Sequence, residues 1–331
     1  MSKIVLDIYG ADAGVGVIIR GALKALKARE DLSVVFVGER SLVEEYIKNS
    51  DVDVTRIEIL HTDDFITNND PPTVLFGGRD NCSMALALEK LKNDPDCVGM
   101  LSAGSTGALL VGSIFRLGLI EGLKSPALSS YLPMARGEMV CLLDCGANIQ
   151  CTPKELARFA LMGDAFVRCM TGKEAPRVGL LNVGAEKSKG TPVLQQAHQL
   201  IEALPLNFIG NIEGSDMVQG KADVIVSDGV SGNILLKSSE AAGLTARGVV
   251  EHFKAQLADA APQVLDDILD YLFNSFNYNA LGGATFLGTQ KTVIKMHGCA
   301  TENTVVSCID QLYRLHAAGF SETIAAALQN A

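Results

Sequence analysis

Short apolar runs alternate with amphipathic segments along almost the whole chain, as they do where strands alternate with helices. Residues 3–7 read as a first strand. Residues 16–28 follow with helical spacing of Ile18, Ile19, Leu23 and Leu26. The same reading gives strands at 32–37, 56–60, 97–102, 127–132 and 139–144, with helices at 42–48, 81–93, 104–117 and 153–170. Only a short link joins 127–132 to 139–144, which predicts a hairpin. Farther on, strands are expected at 178–183, 207–212 and 222–227, with a helix at 192–204. Two consecutive helices, 233–257 and 262–276, then interrupt the alternation and are expected to project as a pair. Short strands at 285–287 and 292–295 and helices at 302–315 and 321–329 close the chain. The pattern predicts an α/β fold with a largely parallel sheet. No linker-like composition marks a boundary, so residues 1–331 are expected to form a single α/β domain with the pair at 233–276 inside it.

Four strand-like runs end in a glycine-rich turn that opens into a helix-like segment. The turns are Ser102-Ala103-Gly104-Ser105-Thr106-Gly107, Asp144-Cys145-Gly146-Ala147-Asn148, Gly184-Ala185-Glu186-Lys187-Ser188-Lys189-Gly190 and Asp228-Gly229-Val230-Ser231-Gly232-Asn233. In a parallel sheet such turns gather at the carboxyl edge, where ligands bind. Helix N-termini there present unpartnered N–H groups and the positive end of the helix dipole, and glycine lets a ligand come close. Together the turns predict an anion-binding crevice.

Composition narrows the class. With 331 residues, 48% of them hydrophobic, the chain can bury one large core or two modest ones. A formal net charge of −10 argues against general nucleic-acid binding. Neither a signal peptide nor an 18-residue apolar span is evident, so a cytoplasmic protein is expected. The eight cysteines lie mostly in apolar runs without a C-x-x-C pair, and read as small buried hydrophobes rather than disulfides or metal ligands. No metal or cofactor is expected. Gly10-Ala11-Asp12-Ala13-Gly14-Val15-Gly16 lacks the dinucleotide spacing, and neither a P-loop nor a nucleophile elbow occurs.

Lys187 and Lys189 stand in a turn between a strand and a helix, where an ammonium can meet an anion held by backbone N–H groups. Asn148, Asn211 and Asn233 each sit at or just past a strand end, where asparagine also caps helices and forms turns. His297 ends the last strand in Met296-His297-Gly298, where a hydrogen-bonded structural histidine competes with a catalytic one.

In order, these turns resemble the bacterial phosphate acyltransferases of phospholipid synthesis, the PlsX family, from about residue 3 to about residue 317. The matching stretches include residues 102–108, 142–148, 176–182, 189–190, 207–214, 228–233, 282–284 and 297–298. The resemblance implies a three-layer α/β sandwich, similar to phosphotransacetylases and isopropylmalate dehydrogenases. It also implies the conversion of acyl-[acyl carrier protein] and inorganic phosphate to acyl phosphate and free carrier protein. The partners it implies are acyl carrier protein, phosphate and a second copy in a homodimer. In the second helix of the projecting pair Val264, Leu265, Ile268, Leu269, Leu272 and Phe273 recur as an apolar stripe interleaved with Asp266, Asp267 and Asp270, so the pair is expected to serve a homodimer or carrier-protein contact, with only weak peripheral contact to membrane. Lys189, Asn233 and His297 would be catalytic. Asp7, Asp12, Gly104, Ser105, Thr106, Gly107, Asp144, Gly146, Asn148, Asn211 and Asp228 would bind phosphate or the acyl group. A short-chain acyl-coenzyme A phosphotransacylase, or a non-catalytic homologue that binds acyl groups or carrier protein, is the competing expectation.

Three stretches depart from the family. Its first turn, Asp-Ala-Met-Gly-Gly-Asp-His-Ala-Pro, is here Asp7-Ile8-Tyr9-Gly10-Ala11-Asp12-Ala13-Gly14-Val15, so a histidine has become Ala13. Its Lys-Lys-Asp-Ser-Ser-Met is here Arg79-Asp80-Asn81-Cys82-Ser83-Met84. Near the lysine turn, two acidic residues are replaced by Ala185 and Lys187. The chemistry still suits what remains. Phosphate is already an anion near neutral pH and a thiol leaves readily, so the reaction needs positioning and oxyanion stabilisation more than a Ser-His-Asp arrangement.

Overall fold

In a computed structural model of the chain, strands and helices alternate as the pattern requires. The structure describes residues 2–67, 69–76, 78–134, 138–256, 262–276 and 282–329, and leaves aside the side chains of 255, 256, 262 and 271–276. The chain divides into two compact units. Residues 1–128, 168–172 and 281–331 make the first, and 129–167 with 173–280 the second.

The first unit begins with β1 (Ser2–Asp7), α1 (Val15–Ala28), β2 (Leu32–Gly38), α2 (Arg40–Lys48) and β3 (Ile57–His61). A 3-10 turn at Val54–Arg56, capped when Thr55 N–H donates to Asp53, delays β3 by one residue relative to its apolar run. Then come α3 (Ser83–Asn93), β4 (Cys97–Ser102) and α4 (Thr106–Gly112), the last continued by a π-helical turn at Ser113–Leu117.

The second unit takes most of β5 (Ala127–Pro133) and α5 (Pro153–Thr171), whose ends fall in the first, and all of β6 (Met139–Leu143), β7 (Arg177–Leu181), α6 (Pro192–Glu202), β8 (Asn207–Ile212), α7 (Gly214–Val218), β9 (Val224–Val226), α8 (Gly229–Gln256) and α9 (Pro262–Phe276). The expected β5–β6 hairpin forms, antiparallel; β6, β9, β7 and β8 then pair in parallel. Gly163 of α5 lies against Val224 and Leu143, which seats that helix on the sheet. α7 is too short to show a period, and a capping box between Glu213 and Asp216 makes it. α8 starts four residues before its apolar pattern does because Asp228 accepts N–H bonds from Val230 and Ser231.

The chain closes in the first unit with β10 (Ala284–Leu287), β11 (Thr292–Lys295), α10 (Glu302–Ala317) and α11 (Phe320–Gln329). Its strand order is β3-β2-β1-β4-β11-β10, parallel except for β10 against β11. Ile4, Leu6, Val34, Phe36, Leu101 and Ile294 share a fully buried face with α1 and α10. By the two-residue alternation of strands, Val5, Val35 and Met100 take the opposite face, and α3 contacts β1, β2 and β4. Gly21 and Gly99 allow the close packing: a Cβ on either would strike Val305 or Leu312 of α10. Among the described residues no helix is long and apolar enough to cross a membrane.

Candidate active site

The chain leaves β1 toward β2 on one side and reaches β4 on the other, so the carboxyl ends of β1 and β4 form a topological switch point, the usual ligand position in such sheets. Asp7 ends β1 there and is 2% exposed. Its carboxylate accepts from Ser102 Oγ at 2.9 Å and from the Tyr9 N–H at 3.3 Å. Ser102 Oγ in turn accepts from the Gly104 N–H at 3.1 Å. Gly10, at φ +97°, runs so close to this turn that a Cβ would lie 2.4 Å from the Gly104 nitrogen. Only glycine serves there.

Burial raises the Asp7 pKa to about 6, against the lowering pull of the Ser83 and Ser102 hydroxyls, the Tyr9 N–H and the Lys295 ammonium. The folded protein therefore holds this proton more tightly than the unfolded chain does. That stabilisation is complete below the ordinary value of 3.8 and is lost as pH rises through about 6. A shift of roughly two units corresponds to up to about 3 kcal/mol. Asp7→Asn, with no proton to lose, is expected to melt several degrees above the native protein near neutral pH, and no higher below about pH 4. Equal melting temperatures at both pH values would contradict the buried, ionised carboxylate.

Ser105 caps α4 by accepting from the Ala108 N–H, Thr106 is exposed, and Gly107 lies against Pro72. Asp12 is exposed; its N–H donates to Gly298 O at 2.7 Å and its carboxylate lies over Gly298. β11 stops at Lys295, so His297 sits in the following turn rather than ending the strand as expected. Its Nδ1 accepts from the Cys299 N–H at 3.2 Å and lies 3.1 Å from the Cys299 thiol. Accepting at Nδ1 leaves the proton of a neutral imidazole on Nε2, where it can be donated.

The second unit carries the other three turns. Asp144 is fully buried and accepts from the Ala147 N–H, the Asn148 N–H and the Asn148 Nδ2, at 3.2, 2.6 and 2.8 Å. Its carbonyl accepts from Ser227 Oγ at 2.9 Å, and Asn148 O accepts from the Gly229 N–H at 2.8 Å. The turns after β6 and β9 are thus tied together. A Cβ on Gly232 would lie 1.9 Å from Asp144 O. Asp228 spends its carboxylate capping α8. Asn233, in the first turn of α8, is exposed and makes no side-chain hydrogen bond among the described residues; its Oδ1 lies close above Gly146.

Three side-chain amides hold the lysine turn at four carbonyls. Asn211 Nδ2 donates to Glu186 O at 2.8 Å while its Oδ1 meets His198 Nδ1 at 2.9 Å. Asn182 Nδ2 donates to Lys189 O, and Gln195 donates to the carbonyls of Ser188 and Gly190. The structure also separates the two lysines: Lys187 pairs with Glu202, whereas the exposed Lys189 ammonium has no partner among the described residues. Lys189 and Asn233 make no hydrogen bond to each other. Among the described residues no three His, Cys, Asp or Glu side chains are grouped to hold a metal.

Sequence reading missed Lys295, Ser102 and Ser83 around Asp7, and Asn182 behind the lysine turn. Ser102 and Lys295 end strands, Asn182 follows one and Ser83 opens α3, and only the fold brings them to these places.

The profile of the family described as "Fatty acid synthesis protein" matches residues 2–323. Curated proteins named phosphate acyltransferase, from Bacillus cereus (strain B4264) and Bacillus thuringiensis (strain Al Hakam), are each 36% identical over 99% of this chain and 98% of theirs. Solved structures agree in fold. A phosphotransacetylase from Streptococcus pyogenes superposes with a TM-score of 0.62 at 16% identity, over 99% of this chain and 94% of that one. The EutD phosphotransacetylase from Staphylococcus aureus gives 0.59 at 16% identity, over 96% and 94%. An α/β fold of this type, matched from end to end by relatives at this identity, places the chain in the fatty acid synthesis protein family, the family of the curated phosphate acyltransferases.

Proposed function

We propose that the protein transfers an acyl group from acyl carrier protein to inorganic phosphate. A phosphate oxygen forms a bond to the thioester carbonyl carbon, an oxyanion develops, and the C–S bond breaks with its electron pair on sulfur. The observation that most supports this reading is a lysine turn fixed at four carbonyls that leaves the Lys189 ammonium uncommitted. Such a fixed point charge suits phosphate or the charge that develops on transfer. Asn233, uncommitted above Gly146, would donate its amide to the oxyanion. His297 would steady the leaving thiolate by a hydrogen bond from its Nε2–H, while the proton that the thiol finally carries comes from the attacking hydrogen phosphate. Ser105, Thr106 and Gly107 in the first unit, and Gly146 in the second, would each offer backbone N–H groups to an anion, while the Gly104 and Asn148 N–H groups brace those turns against Ser102 and Asp144. We assign Asp7, Asp12, Asp144, Asn211 and Asp228 to holding these turns, since their polar atoms are engaged there.

Trapping acyl phosphate as a hydroxamate tests the donor. Acyl carrier protein is expected to be the better donor at equal thioester concentration. A clear preference for short acyl-coenzyme A would shift the reading to a phosphotransacylase.

The reading extends to assembly in the cytoplasm. Val264 and Ile268 of α9 and Leu244, Val249 and Phe253 of α8 are exposed, while Asp267 and Asp270 lie among them and would repel anionic headgroups. Leu272 and Phe273, expected in the same stripe, lie outside the described side chains. A second copy therefore suits this pair better than a membrane. Ile268→Asp is expected to convert a dimer to monomer in sedimentation. An unchanged dimer, or tight pelleting of the native protein with anionic vesicles, would contradict that choice.

A further inference from the structure

Three adjacent strands of the first unit each deliver a polar side chain to the switch point: Asp7 from β1, Ser102 from β4 and Lys295 from β11. Lys295 is half-buried, yet among the described residues its ammonium takes no carboxylate as a hydrogen-bond partner. It donates to Ala103 O at 3.1 Å and to Met296 O. The Ser102-Ala103-Gly104 turn is thus gripped from both sides, by Asp7 through Ser102 and by Lys295 through the Ala103 carbonyl. The Met296 N–H donates to Ser102 O at 2.8 Å, and Asp12 backs Gly298.

We propose that Lys295 is a positioning residue for the transfer: its ammonium locks the turn that opens α4 to the turn that carries His297. This role rests on the reading above, in which both turns serve the reaction. An apolar residue of similar length would fill the space but leave the two carbonyls without their donor, and a displacement of about 1 Å at reacting groups can cost on the order of 10²-fold in rate. Burial lowers the Lys295 pKa to about 8, opposed by Asp12 and Cys299 in the neighbouring turns, Asp7 on β1 and Cys308 on α10. The lock would therefore loosen as pH rises through about 8, when the neutral amine becomes a weaker donor.

The test combines kinetics with amide hydrogen exchange in Lys295→Met and the native protein. In the variant we expect kcat to fall on the order of 10²-fold with the donor KM within about twofold. We also expect the alkaline decline near pH 8 to vanish, and faster exchange confined to residues 102–107 and 296–300. Native kcat and an unchanged pH profile in a folded variant, or native exchange in both segments, would overturn the role. Should the variant not fold, the native protein decides. A fall in kcat through about pH 8 at constant melting temperature supports the lock, and a level kcat across that range overturns it. Exchange is read without turnover, so a native protein that makes no acyl phosphate would sink the proposed reaction separately from the lock.

Discussion

Asn233→Ala is expected to lower kcat at least tenfold, and on the order of 10²-fold if the amide donates to the developing oxyanion. The fold should survive, because the side chain is exposed and makes no hydrogen bond among the described residues. Asp228, not Asn233, caps α8. Lys189→Ala should also cost at least tenfold, whereas Lys187→Ala should cost little, since Lys187 is already paired with Glu202. The pair of lysines makes its own control. Steady-state kinetics on the three variants, each with a native melting temperature, decides the point. Near-native rates in Asn233→Ala and Lys189→Ala would remove both from the chemistry, and an equal loss in Lys187→Ala would mean a general effect of charge.

Ala13→His is expected to tighten phosphate binding by about tenfold to a hundredfold, the worth of one charge-assisted hydrogen bond of roughly 1.5–3 kcal/mol. Ala13 is exposed, directly after Asp12, whose backbone and carboxylate meet Gly298 beside His297. The positive charge left near the start of α3 is already spent. Arg79 pairs with Asp64 and Asp70, and Asp80 pairs with Arg116. The native protein should therefore be active with weak phosphate binding. Phosphate saturation curves for both proteins measure the effect. An unchanged phosphate KM in Ala13→His would show that position 13 does not reach phosphate.

What the sequence discloses follows the range of the forces involved. Strands at β1, β2 and β4 are legible because continuous apolar runs can only be buried, and Asp7 and Ser102 mark where those runs stop. The beginnings of α7 and α8 are not, because single side chains such as Glu213 and Asp228 set them and no period reveals a cap. Turns rich in glycine point to the candidate site, yet the division of labour inside them depends on contacts across strands. The family resemblance makes Asn211 a ligand, while its amide is occupied by Glu186 O and His198. Lys187 and Lys189 look alike in sequence and differ only because α6 brings Glu202 to one of them. Lys295 looks like a solvated charge ending a strand, and becomes legible only once β11 lies beside β4.

The central claim is that phosphate, rather than water, takes the acyl group. Phosphorus NMR of a mixture of protein, acyl-[acyl carrier protein] and phosphate, read beside a thiol assay, tests it directly. The account predicts an acyl phosphate resonance that grows in step with released thiol, one for one, and no thiol release without phosphate. Thiol release that ignores phosphate, or neither product at high phosphate, would contradict it.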